Sequence, residues 1–307
     1  MTTGQLIALL AAAVTAGTPL VFAGIGELVA ERSGVLNLGV EGMMLVGAVS
    51  GFAVAAVTHD PWMAVIAAAG AGGLIATAHA LLAVTLGADQ VTSGLSLALF
   101  GAGLSAFLGK PFIGIPNPVP FRAVPVPGLS ALPVLGPILF RQDSLVYLSY
   151  GVVIVAWWWI YRTRPGLHLR ATGEDAATAD AMGIRVGLVR YASVVVGGGL
   201  AGVAGGYLSL AYTPAWTENM TGGLGWIAIA LVIFATWNPL RLLGGAYLFG
   251  AVDALGFRVQ LLGVETSSIL LRMLPYLFTL AVLFVITVLQ RQARMPGALT
   301  RPYFREE

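Results

Sequence analysis

Apolar runs of about twenty residues recur along this chain, and that length is what a helix needs to cross a bilayer. Pro61 to Leu86, Val91 to Leu108, Leu145 to Tyr161 and Tyr191 to Tyr212 are continuously apolar, without the dyad alternation of a membrane strand. In hydrocarbon the backbone must satisfy its own hydrogen bonds, so runs of this kind specify spanning helices. Composition agrees: 58% of the residues are hydrophobic and 10% charged, where soluble domains carry about a quarter charged. The expected fold is all-α, a polytopic transmembrane helical bundle with residues 1–307 as a single domain. A net charge of +2 gives no reason to expect nucleic acid as a partner. The absence of cysteine excludes disulfides and thiolate metal sites, and no histidine grouping suggests another metal site. The first apolar run lacks a basic leader and reads as a retained span.

Taken in order, Gly4 to Ile25 forms the first span, and Gly26 to Phe52 is apolar sequence interrupted by charge and glycine. If that part is helical, Asn37 and Glu41 lie one turn apart on one face. A carboxylate facing lipid is costly, so Glu41 faces the bundle interior, a partner or a wet cavity, or pairs with an arginine such as Arg32. His79 reads as a hydrogen-bonded packing residue. Residues 110–144 hold eight of the 16 prolines and form a long loop, not a regular helix. Thr221 to Trp237, Leu242 to Leu262 and Ile269 to Leu289 complete nine spans with an outside N-terminus, and one broken or re-entrant segment makes the number eight or ten. Asp253 lies deep in apolar sequence, where it faces a path or bonds a neighbouring helix. Gly198, Gly202 and Gly206 recur every four residues, a small-residue stripe for close helix packing.

The longest polar stretch between apolar runs is Arg162 to Arg190. The aromatic group Trp157, Trp158, Trp159 and Tyr161 precedes Arg162 and Arg164, a belt followed by positive charge that assigns residues 162–189 to the cytoplasm. The tail, residues 290–307, carries Arg291, Arg294, Arg301 and Arg305 and belongs on the same side. Within the loop, Thr172 to Asp175 has the form of a capping box for a short helix over Ala176 to Met182, closed by Gly183. That helix is either part of a solvated loop or a docking element for a soluble partner. No phosphate loop is present, since the only lysine, Lys110, precedes proline. If nucleotide hydrolysis drives this protein, another polypeptide performs it. Ser33 to Gly39 and Thr221 to Ile227 are similar glycine-rich helix starts, either by chance or as two interrupted helices that share a central site.

The chain resembles the permease subunits of bacterial ATP-binding-cassette (ABC) importers of the branched-chain amino acid and simple-sugar superfamily. It most resembles the nucleoside-uptake branch that works with basic-membrane-protein-type binding lipoproteins. The segments that carry the resemblance are Glu31 to Met44, Leu167 to Val186, Gly199 to Pro214, Glu218 to Ala228, Trp237 to Pro239 and Phe249 to Asp253. The resemblance implies a multi-pass protein of the bacterial cytoplasmic membrane that pairs with a second permease, identical or not. An ABC ATPase would dock on Glu174, Asp175, Thr178, Ala179, Met182 and Gly183, and an extracytoplasmic binding lipoprotein would deliver nucleosides or related sugars. ATP would be used by the partner, with no cofactor bound by this chain. Asn37, Glu41, Trp226 and Asp253 are the candidate pathway residues: an amide and carboxylates for hydroxyls or base edges, and a ring for stacking. The chain departs from the family at Leu224, which stands between Gly223 and Gly225 in place of an expected basic residue. The alternative is a stand-alone secondary transporter in which Glu41 and Asp253 carry protons. An enzyme is not expected, because no nucleophile–base spacing or histidine pair is present.

Overall fold

Aspartates start four of the helices of this protein. In the computed structural model, which describes residues 2–261, 273, 277–281, 284 and 295–304, the elements are α1 (Thr3–Arg32), α2 (Val40–Thr58), α3 (Pro61–Ala80), α4 (Gln90–Gly109), the short α5 (Leu135–Leu139), α6 (Ser144–Arg162), α7 (Arg164–Glu174), α8 (Ala176–Ala181), α9 (Val186–Tyr207), α10 (Leu224–Phe234) and α11 (Pro239–Leu261). Asp60, Asp89, Asp143 and Asp175 accept the free N–H groups of α3, α4, α6 and α8. Single π-helical turns prolong α3 to Thr85 and α9 to Tyr212. Among the described residues α1, α2, α3, α4, α6 and α9 are long and apolar enough to cross a membrane. The protein is a multi-pass, all-helical membrane bundle, with isolated β-bridges only at Pro116–Ala215 and Ala123–Asp143 among the described residues.

Helix α9 is the axis, packed on α1, α2 and α3. Its glycine face allows backbone-to-backbone contact: Gly197 meets Gly26 of α1, Gly198 meets Gly72 and Ala76 of α3, and Gly206 meets Ala68. Gly202 sits between Gly47 of α2 and both Ala68 and Gly72 of α3, with no room for a Cβ. Without a hydrophobic force between helices in lipid, such close van der Waals contact is what holds them. The other long seam joins α1 to α11, where Gly17 abuts Ala246 and Gly250 abuts Ala13.

Three local expectations need correction. Thr221 to Trp237 is not a full span: α10 has 11 residues, roughly 16 Å, about half the hydrocarbon thickness. Gly222 and Gly223, with φ of 53° and 89°, hold the chain out of helix just before it. Asn37 and Glu41 do not share a helix, because α2 begins at Val40. Thr172 caps nothing; it is buried inside α7, and Asp175 is the cap of α8, accepting from the Thr178 N–H at 3.0 Å and its hydroxyl at 2.8 Å. The register slipped because Thr163 and Pro165 start a separate helix upstream. Gly183 does close α8, at φ 83°. The last expected span, Ile269 to Leu289, lies outside the described residues except at 273, 277–281 and 284, as do Arg291, Arg294 and Arg305.

The two ends of the bundle differ in make-up. One gathers residues 33–39, 86–89, 163–185, 235–238 and 295–304, tied by the Arg32 guanidinium on the Trp237 carbonyl at 3.0 Å and by the Ala298 N–H on the Gly173 carbonyl at 2.8 Å. The other gathers the start of α3, the proline-rich loop and the end of α9, tied by the Phe121 N–H on the Leu210 carbonyl at 3.0 Å and a Trp62–Phe121 ring contact.

The glycine seam yields a prediction. Gly202→Val overpacks the α2–α3–α9 junction and costs about 3 kcal/mol, read as a lowered melting temperature of the detergent-solubilised protein. Gly70→Ala, with nothing within 4 Å of its added Cβ, leaves that temperature unchanged.

Candidate functional site

Two interruptions of helix meet inside the bundle. The first is the turn from Ser33 to Gly39. Gly34 takes φ 91°, which turns the chain back alongside α1. Its backbone groups are taken up by polar side chains: the Asn37 N–H donates to Glu27 Oε1 at 2.9 Å, and the Leu36 N–H to Gln90 Oε1 at 2.8 Å. The Leu36 carbonyl meets His79 Nε2 at 3.0 Å, while Ser93 Oγ lies 2.9 Å from His79 Nδ1. His79 is therefore a buried packing residue with both ring nitrogens engaged, as expected. The second interruption is residues 213–223, the approach to α10. Glu41, in the first turn of α2, accepts the Thr221 hydroxyl at 2.5 Å, the Gly223 N–H at 2.8 Å and the Gly225 N–H at 2.7 Å. A carboxylate from one broken element thus caps the half-helix that follows the other, where the helix dipole also favours it. Gly225 is close against the Glu41 backbone, with no space for a side chain. The two similar helix starts of the sequence are joined by this carboxylate.

A third polar knot lies at the foot of α1. Trp237 donates its indole N–H to Glu31 Oε2 at 2.5 Å, and its carbonyl accepts from Arg32 Nη2 at 3.0 Å and the Tyr161 hydroxyl at 3.4 Å. Thr236 and Trp237 both have left-handed φ, 50° and 53°, a conformation that bulky residues adopt only when their surroundings impose it. Glu27, Glu31 and Trp237 were not among the candidate pathway residues, although Glu31 and Trp237 open two of the segments that carry the family resemblance. The signal was there, since two acids four apart in an apolar helix share a face that cannot be turned to lipid.

The remaining candidate residues fall in different places. Asn37 is buried, its side chain directed at the Gly39 N–H and the Met43 sulfur. Asp253 accepts the Tyr212 hydroxyl at 3.3 Å between α11 and the end of α9. Trp226, in the first turn of α10, is 37% exposed, and Thr217, Glu218 and Asn219 are exposed on the approach to it. At the arginine-rich end, Glu174, Asp175, Thr178, Met182 and Gly183 are exposed, Met182 to 78%. Ala179 faces inward, packed with Ala176 and Val186. The backbone N–H and hydroxyl of Thr178 hold the Asp175 carboxyl below the usual carboxylate range. A groove of about 680 Å³ runs between α6 and α9 over Ile25 and Val29. Its walls are almost wholly apolar, with His168 and Ser193 as the polar side chains of the lining, so it offers little for a hydroxyl or a base edge.

Comparison with known proteins places this arrangement. Residues 9–289 match the family described as branched-chain amino acid transport system, permease component. The chain belongs to that family. It is 43% identical, over 97% of its length and 98% of the relative's, to a Haloferax volcanii protein provisionally named as a glucose ABC transporter permease. It is 37% identical to the nucleoside ABC transporter permease of Lactococcus lactis, covering 87% of this chain and 88% of that one. With the guanosine ABC transporter permease of Bacillus subtilis the identity is 32%, over 94% and 93%. These relatives are transporters, not enzymes, and this permease carries its polar groups where helices break within the bundle.

Exchange of the capping carboxylate tests the junction of the two breaks. In Glu41→Gln the amide presents N–H groups to donors, and the loss of charged hydrogen bonds costs about 3 kcal/mol. The expected readout is a lowered melting temperature with new protease cleavage between residues 213 and 223; Thr221→Val, which removes one donor, gives a smaller shift.

Proposed function

We propose that this permease is the membrane-spanning subunit of an ABC importer that moves nucleosides or related sugars into the cell, driven by a separate ATPase. The observation that carries the reading is the α7–α8 element. It follows α6 directly, shows a polar face with an uncovered methionine, and has its first turn fixed by Asp175. An exposed large apolar side chain on a short, capped helix suits docking into a groove of a soluble partner. The same end holds Arg32, Arg162, Arg164, Arg170, Arg185, Arg241 and Arg301, so the positive-inside bias supports a cytoplasmic side for it and for the tail segment 295–304. Residues 110–144 then face outward, toward a solute-binding lipoprotein. A second permease, the same or a different chain, completes the channel.

In this reading, approach of two ATPase domains pushes on α8 and tilts the bundle between inward-open and outward-open states. Solute passes along the broken α10. Trp226 offers a ring for stacking, and Glu218 and Asn219 offer hydrogen-bonding groups beside it. Asn37 and Glu41 act by holding the breaks in shape. Nucleosides are favoured by the two relatives named for a nucleoside and for guanosine, and sugars by the third. A proton-carrying role for Glu41 is disfavoured, since both of its oxygens already accept hydrogen bonds.

The test pairs Asp175→Arg with Met182→Glu. Membrane levels should stay at those of the unmodified protein, while the ATPase no longer co-purifies and uptake of labelled nucleoside falls about tenfold, equivalent to about 1.4 kcal/mol. Uptake should survive a protonophore while cellular ATP stays high. Collapse of uptake under those conditions would overturn the importer reading.

A further inference from the structure

The tail segment 295–304 does not trail away from the bundle. It lies across the arginine-rich end and touches α7, α8, α9 and the turns 33–39 and 86–89. The Ala298 N–H donates to the Gly173 carbonyl at 2.8 Å, and Gly297 lies against the Glu174 backbone, so the tail is bound to the end of α7. Tyr303 packs on Ala176, Ala179 and Val186, which joins the inward face of α8 to the start of α9. Phe304 places its ring against Gly87 in the α3–α4 turn. Ala298 and Leu299 are buried, each 6% exposed, and the turn is closed by Leu299 N–H on Pro296 and Arg301 N–H on Ala298. The Ala298 carbonyl also abuts Gly34.

Arg190 connects this tail to the first helix break. Its side chain is buried, 1% exposed, and donates from Nη1 to the Arg301 carbonyl at 3.1 Å and from Nε to the Ser33 carbonyl at 3.3 Å. One guanidinium therefore holds the tail and the turn 33–39 together. Beyond that turn the chain runs into α2, whose Glu41 caps α10.

We infer that residues 295–304, with Arg190, form a strap that transmits displacement of the docking helix α8 to the two helix breaks. The inference rests on the ATPase-docking reading above and adds positioning residues to it. Without the strap, α7–α8 is joined to the bundle through its own chain ends, its packing on α6, α9 and α1, and the approach of Gly173 to the Arg32 carbonyl and Gly34, and a push on α8 reaches the turn 33–39 only through α7. With it, the turns 33–39 and 86–89 follow α8. A device of this kind needs contiguous contacts between the elements it couples, and the contacts above supply them around a cavity of about 270 Å³ that separates part of the tail from the start of α8.

The experiment uses the whole importer complex reconstituted in vesicles, with ATP hydrolysis and solute uptake measured together. Tyr303→Ala and, separately, Ala298→Pro should leave the ATPase bound and hydrolysing ATP, while uptake per ATP falls about tenfold, within the range of ordinary coupling energies. Tyr303→Phe, which keeps the ring, should restore the ratio. An unchanged ratio in both disruptive variants would overturn the strap, and so would loss of the ATPase from the complex, which would make the tail a docking surface instead. Because the chain has no native cysteine, Ala298→Cys, at a position only 6% exposed, gives a second measurement. A maleimide should label it slowly in the folded protein and quickly after denaturation, and rapid labelling in the folded protein would overturn the geometry. If Asp175→Arg with Met182→Glu leaves the ATPase bound, it is the docking reading that fails, whatever the tail variants do.

Discussion

Every backbone N–H that leaves a helix inside a bilayer needs a new acceptor, because no water is there to supply one. This permease breaks its helices within the bundle and meets that demand with buried carboxylates. Glu27 takes the N–H of Asn37, and Glu41 takes the N–H groups of Gly223 and Gly225. The acids are expensive to bury, and the breaks would be expensive without them. Together they are mutually compensating, which is how an interrupted helix persists next to hydrocarbon. The half-helix α10 follows from this: without the Glu41 cap its first turn would leave orphan donors inside the bundle.

The rest of the architecture keeps those carboxylates in place. The glycine face of α9 draws α1, α2 and α3 within backbone contact, so the helices that carry Glu27 and Glu41 are located by close packing as well as by loops. At the foot of α1, Trp237 accepts a left-handed backbone in exchange for hydrogen bonds from Arg32 and Tyr161 and one to Glu31. The polar groups and the small residues serve one purpose, which is to make non-helical backbone tolerable at depth.

Much of the fold was legible in the sequence because apolar length is a one-dimensional signal. The spans from Pro61 to Leu86 and from Tyr191 to Tyr212 could be bounded to within a few residues, and Gly183 announced its own left-handed turn. The errors have a common cause. Thr172 was read as a cap from spacing alone, while tertiary burial turned it inward and left Asp175 to do the capping. Asn37 shares a face with Glu41 only if the segment between them is helical, and α2 starts only at Val40, so the condition is not met. Ala179 lies in the segment that the resemblance assigns to docking, and its burial depends on which side of α8 meets Val186. The partners of Glu41 lie 180 or more residues away, a pairing that local pattern cannot supply. The likeness between Ser33 to Gly39 and Thr221 to Ile227 was the nearest available hint.

The crossing of Gly47, Gly72 and Gly202 also bears on how such a protein can change over time. Any single-base change in a glycine codon that alters the residue adds at least a Cβ, and at Gly202 there is no volume for one. No substitution opposite makes room, because the atoms that a Cβ would meet are backbone atoms of Ala68 and Gly72. The junction has therefore no route of gradual variation open to it. Variation is tolerated instead at positions such as Glu218, Asn219 and Trp226, whose side chains are exposed.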